Sequence, residues 1–217
     1  MLRIDCDGAN IYVHRHLLYG RSDEMDEALE DNEVVIESSL SRIVRTSGRW
    51  LGNMDKRAWE LYVGFLYGHP IWTRSDQYPI EEDFKQLVGI WEDGHWNHFD
   101  NDAANAAIDA IRELVMQHSE ELSRPFNVLK EMDLIEFDRN DPAELLMDFM
   151  MYGQSGRVFG KWYEACMDGG DEGYLDKGLA DRFAKKADAK ADGGEMPDLM
   201  KRCKHHWHKN DPRYLDK

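Results

Sequence analysis

Residues 2–13, Leu-Arg-Ile-Asp-Cys-Asp-Gly-Ala-Asn-Ile-Tyr-Val, decide how the fold begins. Apolar and polar residues alternate in the first half of this stretch, which is the period of a half-buried β-strand. Gly8-Ala-Asn10 supplies turn residues, and Ile11 and Val13 then continue the alternation. The N-terminal stretch therefore predicts a β-hairpin.

Beyond the hairpin, a short helix is expected near residues 16–18, and the β-branched residues 34–36 predict a third strand. From there on, apolar residues recur at the spacing of one helix face. This spacing predicts helices over 55–67, 83–92 and 102–117, and their shared core is expected to contain Trp59, Leu66, Leu87, Ile108 and Ile111. Strands early and helices late predict an α+β fold, with the helices packed on a small sheet.

Further helical spacing appears towards the C-terminus, over residues 145–150 and 159–166. The polar stretch that begins at Ala184 is predicted to be an exposed helix end or a loop. Four tryptophans at helical spacing are expected to lie in the core rather than around a ligand: Trp59, Trp91, Trp96 and Trp162.

The charge of the chain narrows the classes of partner. It has 43 acidic against 27 basic residues, a formal net charge of −16. Such a surface repels nucleic-acid phosphates and anionic lipids, so neither nucleic acid nor a membrane is an expected partner, whereas a basic protein would be attracted. Three widely separated cysteines and the absence of a signal-peptide pattern favour a reducing compartment, the cytoplasm or nucleus.

Signatures of catalysis do not appear in the sequence. It contains no Gly-rich phosphate loop, HExxH or GxSxG motif, so no catalytic, cofactor-binding or metal-binding residue is predicted, and no cofactor. The one cluster with metal-ligand chemistry is Cys203, His205, His206 and His208. Zinc usually takes two separated ligand pairs, so a packed terminal segment is the favoured interpretation. A small metal-dependent enzyme or zinc-binding protein using this cluster is the alternative.

Three other features have both structural and functional interpretations. His14 is expected to hydrogen-bond a neighbouring backbone group and fix a turn, rather than act in catalysis. Residues 23–33 contain seven acids and no base, which indicates a solvated helix face or a docking surface for a basic partner. Residues 40–53 look like an insertion, and its three arginines suit either contact with the acidic run or a partner loop.

Several short sequence motifs, taken together, resemble those of the fungal branch of the BTB/POZ family. The similar stretches, in the family's order, are 11–22 (the strand-to-helix signature), 59–68, 84–94, 105–111, 148–150 and 203–208. Each match is short, and it is their order and spacing over nearly the whole chain that make the resemblance specific.

The resemblance implies a BTB/POZ-like domain over residues 1–120, in which a small sheet packs with a helical cluster, and a C-terminal helical extension over 121–217. It also implies a non-enzymatic adaptor or assembly protein that binds a BTB-type or basic-surfaced protein. In many members a helix at the position of residues 23–33 forms a homodimer interface, and seven like charges oppose that interface here. For binding to a cullin-type ubiquitin ligase, Val35-Ile-Glu37 is only a faint candidate.

Overall fold

The computed structural model describes most of the N-terminal two thirds of the chain and a few later residues. The described residues are 2–6, 9–30, 35–38, 42–44, 54–96, 100–132, 141–152, 160–162, 182, 184–186 and 188. They belong to two compact units, the first within 1–76 and 86–110 and the second within 77–85 and 111–205. The predicted division into residues 1–120 and 121–217 stays a prediction.

A small four-stranded sheet opens the chain, in the first unit. Its strands are β1 (Leu2–Cys6), β2 (Ala9–Val13), β3 (Val35–Ser38) and β4 (Arg42–Val44), in the order β2-β1-β3-β4. β1 and β2 pair antiparallel from Leu2↔Val13 to Cys6↔Ala9, which confirms the predicted hairpin. β3 lies parallel to β1 on its other side and antiparallel to β4.

Strand β4 lies within residues 40–53, the segment that looks like an insertion in the sequence. Ile43 and Val44 are β-branched residues that favour an extended backbone, and Ile43 faces Ile36 of β3 in the register. A strand of three residues is too short to show an alternating pattern. The rest of the segment, including Arg45, Arg49 and Trp50, lies outside the described residues.

The acidic run forms an amphipathic helix in its described part. After a 3₁₀ turn at Arg15–Leu17, helix α1 spans Asp23–Glu30. The hydroxyl of Ser22 accepts a hydrogen bond from the N–H of Met25 at 3.0 Å, a typical N-cap. Met25 and Leu29, one turn apart, are buried, whereas Asp23 and Glu27 are exposed.

Three longer helices follow and confirm the predicted periodicity: α2 (Lys56–Leu66), α3 (Ile80–Trp96) and α4 (Asn101–His118). α3 is longer than predicted at both ends. The acids of its first turn, Glu81, Glu82 and Asp83, suit the positive end of the helix dipole.

The predicted core residues are all buried, as are three of the four tryptophans, Trp59, Trp91 and Trp162. Ile111 belongs to the second unit, whereas the other four predicted core residues belong to the first. The side chain of Trp96 lies outside the description.

The described residues are mostly helical, with the sheet confined to the start of the chain. This agrees with the α+β prediction in its coarse form. None of the described helices is both long enough and apolar enough to cross a membrane.

The second unit adds α5 (Pro125–Glu131) and α6 (Asp141–Tyr152), of which α5 was not anticipated from the sequence. Hydrogen bonds from other parts of the second unit hold the link between α4 and α5. The indole N–H of Trp162 donates to the Leu122 carbonyl at 2.6 Å, and Lys161 donates to the Glu120 carbonyl at 2.7 Å. The Ser123 N–H donates to a carboxylate oxygen of Glu81 at 2.7 Å.

Lys186 corrects the prediction for the polar stretch that begins at Ala184. Residues 184–186 are helical, and Ala184 and Lys185 are exposed as expected, but the Lys186 side chain is only 19% exposed. Its ammonium group lies 2.8 Å from a Glu144 oxygen and hydrogen-bonds the buried Asp148 carboxylate. Burial lowers the pKa of Lys186, but the bonds to the two carboxylates outweigh this, and its pKa is raised overall.

Ile108→Ala tests the buried helix face. Ile108 is fully buried on α4, so removing its side chain should lower the free energy of unfolding by about 2–5 kcal/mol. Met116→Ala on the same helix is the matched control, because Met116 is 45% exposed and its loss should change little. Chemical denaturation measures both. Equal effects of the two variants would contradict the assigned core.

Lys186→Ala tests whether a polar stretch is anchored by one side chain. Removing the ammonium group leaves the buried Asp148 without this cation, which should cost about 2–4 kcal/mol of unfolding free energy. Lys185→Ala, at the exposed neighbour, should cost almost nothing. Adding Asp148→Asn to Lys186→Ala should recover part of the loss, as thermal and urea unfolding can show. Similar losses at positions 185 and 186 would argue against the anchor.

Candidate functional site

Exposed aromatic and imidazole rings collect on one part of the first unit. We call Tyr12, His14, His16, Tyr19 and Tyr67 the aromatic surface. The three tyrosines are 54%, 43% and 45% exposed, and both histidines are exposed as well. Exposed apolar groups that lie together, unlike scattered single ones, often mark a binding site. This surface is therefore the candidate functional site.

The alternation of β2 places the first members of the aromatic surface. Val13 is buried, whereas Asn10, Tyr12 and His14 are exposed. Residues two apart on an extended chain point to the same side, so these three share one face of the strand and its continuation. The 3₁₀ turn at Arg15–Leu17 then carries His16.

Tyr67 is placed by the end of α2. Gly68 adopts φ 85°, a left-handed conformation that glycine tolerates best, and this ends the helix. The Gly68 N–H donates to the Phe65 carbonyl at 2.9 Å, and the His69 N–H donates to the Gly64 carbonyl at 3.1 Å. This pair of bonds is a Schellman motif, which fixes the direction of the backbone at Tyr67.

His14 and Tyr67 hold the two parts of the aromatic surface together. The backbone N–H of His14 donates to the Tyr67 hydroxyl at 3.2 Å, and the imidazole Nδ1 lies 2.5 Å from the same oxygen. The hydroxyl of Tyr67 therefore contacts both the backbone and the ring of His14. The prediction that the imidazole binds a neighbouring backbone group is wrong, because its partner is a side chain 53 residues away.

Ring contacts order the remaining members. The His14 and His16 rings are 5.5 Å apart between centroids, and His14 meets Tyr67 edge-on at 5.8 Å. The Arg15 guanidinium lies 5.6 Å from the centre of the Tyr19 ring, a cation–π distance. A partner would meet rings whose positions are already restricted, which reduces the entropy cost of binding.

The two segments that form the aromatic surface contain no carboxylates. Residues 8–22 and 61–75 lack Asp and Glu, although the chain has 43 acids in 217 residues. Immediately after the first segment, α1 exposes Asp23 and Glu27. The segments that carry the aromatic surface therefore contribute no carboxylate, and the acids of this part of the first unit come from α1, where Asp26 accepts from the Gly20 N–H at 2.7 Å.

A buried polar network supports the first unit. The Asp100 carboxylate is the N-cap of α4 and accepts from the Ala103 N–H at 3.0 Å. It also accepts from the Tyr62 hydroxyl at 3.0 Å and pairs with the Arg21 guanidinium at 3.4 Å. Burial raises the pKa of Asp100, and these donors offset that rise only in part. Burial, followed by the charge of Asp100, raises the pKa of Tyr62, which keeps its hydroxyl a donor.

The sequence-predicted cluster of Cys203, His205, His206 and His208 lies outside the described residues. Within the part of the chain that the structure describes, no three His, Cys, Asp or Glu side chains are placed to hold a metal ion. The backbone of Val35-Ile-Glu37 forms part of β3.

The aromatic surface was not anticipated from the sequence, although two signals for it are visible there. Tyr12 occupies the outward phase of the β2 alternation, and Tyr67 directly precedes the glycine that ends α2.

In comparisons with known proteins, no protein-family model, no curated protein and no solved structure matches the chain.

The variant Asp100→Asn tests how the buried carboxylate of Asp100 affects the pH dependence of stability. The folded pKa of Asp100 is above its ordinary value of about 3.9. The folded state therefore binds this proton more tightly than the unfolded state does, and ionised Asp100 lowers stability. That cost is absent below the unfolded pKa and complete above the folded one.

The unfolding free energy of the wild type minus that of Asp100→Asn should accordingly decrease as pH rises from about 4 to 7. Urea unfolding at several pH values gives this difference. A difference that increases with pH would mean that the donors around Asp100 outweigh its burial.

Proposed function

We propose that this chain is a non-enzymatic protein–protein interaction module of the BTB/POZ-like type that acts as an adaptor or assembly protein in the cytoplasm or nucleus. The observation that carries the proposal is the aromatic surface, with three tyrosines 43–54% exposed and ring contacts that join His14 to His16 and to Tyr67. Tyrosine is enriched among the residues that dominate binding energy at protein interfaces.

The order of the elements supports the BTB/POZ-like part of the proposal. A hairpin, a short helix, a third strand and β4 precede a series of helices, and apart from β4 this is the order that the sequence resemblance implies. α2 contacts β2, so a helix packs next to the hairpin within the first unit. On this proposal the BTB/POZ-like domain covers residues 1–120 and the helical extension covers 121–217.

The charge distribution favours a partner with a basic surface. A net charge of −16 attracts basic proteins over a distance and disfavours nucleic acid and anionic membranes. Asp23 and Glu27 expose part of this charge on α1. The same charge opposes a homodimer built on α1, so the proposed assembly joins this chain to a different protein.

Affinity capture with two matched baits tests the proposal. Full-length protein and the variant Tyr12→Ser/His16→Ser are used with an extract of the source organism, and bound proteins are identified by mass spectrometry. Both substituted residues are exposed, so the variant should keep its melting temperature. It should lose at least one stoichiometric, basic partner that the wild type retains.

Met116→Ser is the control bait, because Met116 is similarly exposed but belongs to the second unit. It should capture the same partners as the wild type. If the wild-type bait retains no stoichiometric partner, the proposed interaction function is contradicted. Retention of every partner by the double variant would show that the module binds through another surface.

A further inference from the structure

Strand β2 lies at one end of the sheet. Within the described residues, β1 pairs along one side of β2 and no strand pairs along its other side. In an antiparallel pair, the N–H and C=O groups of every second residue point away from the partner strand. The outer side of β2 therefore presents backbone donors and acceptors in the spacing that another strand would use.

The sequence of β2 lacks the residues that usually protect an edge strand from pairing. Natural edge strands commonly carry lysine, proline, an inward charge or a bulge that prevents another chain from pairing. β2 reads Ala-Asn-Ile-Tyr-Val, without charge or proline, and its five-residue register with β1 is unbroken from Ala9 to Val13. A continuous, uncharged edge is a template for an added strand.

The outward face of β2 also offers side-chain contacts to such a strand. Asn10, Tyr12 and His14 lie on this face. His14, which follows the last residue of the strand, also contacts Tyr67. In strand addition, main-chain bonds supply much of the affinity, and alternate side chains of the added strand supply specificity.

We propose that β2 accepts an extended, basic segment of a partner protein as an additional antiparallel strand. This inference rests on the proposed interaction function and names its surface and the chemistry of its ligand. The net charge of −16 attracts Lys- and Arg-rich segments, and Asp23 and Glu27 of α1, in the same unit, are exposed. The Arg15–Tyr19 contact shows a guanidinium resting on an exposed ring at this surface. A second copy carries the same negative charge and is repelled.

Three fluorescein-labelled ten-residue peptides test the ligand chemistry by fluorescence anisotropy with the full chain. In the first, Lys alternates with Val. In the second, prolines replace two central valines, which preserves the charge but removes ladder donors. In the third, Glu replaces every Lys. The Lys–Val peptide should bind about tenfold more tightly than each of the others, a difference of about 1.4 kcal/mol. Its binding should weaken at high salt, which screens opposite charges.

Tyr12→Lys tests the site, because it gives β2 the lysine that protected edges carry. It should weaken binding of the Lys–Val peptide about tenfold, that is, by about 1.4 kcal/mol. Met116→Lys is the matched control, since it makes the same change of net charge at an exposed residue of the second unit. It should change the affinity less than twofold. Melting temperatures of both variants establish that they are folded.

Several results would overturn the proposal. Equal binding of the proline peptide would show attraction by charge without strand addition, and equal losses in the two lysine variants would show that β2 is not the site. Sedimentation velocity that detects a dimer abolished by Tyr12→Lys would assign this edge to a second copy. If peptide binding fails while affinity capture still depends on Tyr12 and His16, strand addition is rejected and the interaction function stands.

Discussion

The carboxylate of Asp100 is the constraint on which the first unit depends. It caps α4 through Ala103, accepts from Tyr62 of α2 and pairs with Arg21 just before α1. Its own carbonyl lies so near Gly94 of α3 that a Cβ there would come within 2.6 Å. Because a buried carboxylate is stable only when its donors are in place, this one residue couples the positions of four helices.

In the second unit, side chains bind backbone carbonyls as well as carboxylates. Between α4 and α5, the Glu120 carbonyl accepts a hydrogen bond from Lys161 and the Leu122 carbonyl accepts one from Trp162. These polar backbone groups therefore have defined partners. Lys186 brings a cation to the buried Asp148 of α6. In both units, polar side chains fix how the helices connect, while apolar burial supplies most of the stability.

The aromatic surface depends on this framework. α2 is capped at its start by Asp55, which also accepts from Gln86 of α3 at 2.8 Å, and its other end carries Tyr67. The bond from Tyr67 to His14 then ties that end of the helix to the end of β2. Rings held in this way keep their exposure without much freedom, and that combination suits recognition of a partner.

The sequence by itself determined the hairpin and helices α2 to α4, because strand and helix periods are carried by neighbouring residues. The tertiary structure alone decided which distant residues meet: Tyr62 with Asp100, 38 positions apart, and His14 with Tyr67, 53 apart. It also decided the parallel pairing of β1 with β3 and the existence of β4. Such contacts depend on the path of the whole chain, so no local pattern encodes them. The candidate site is joined by one such contact, between His14 and Tyr67, and for that reason the sequence predicted the coarse fold class but not the aromatic surface.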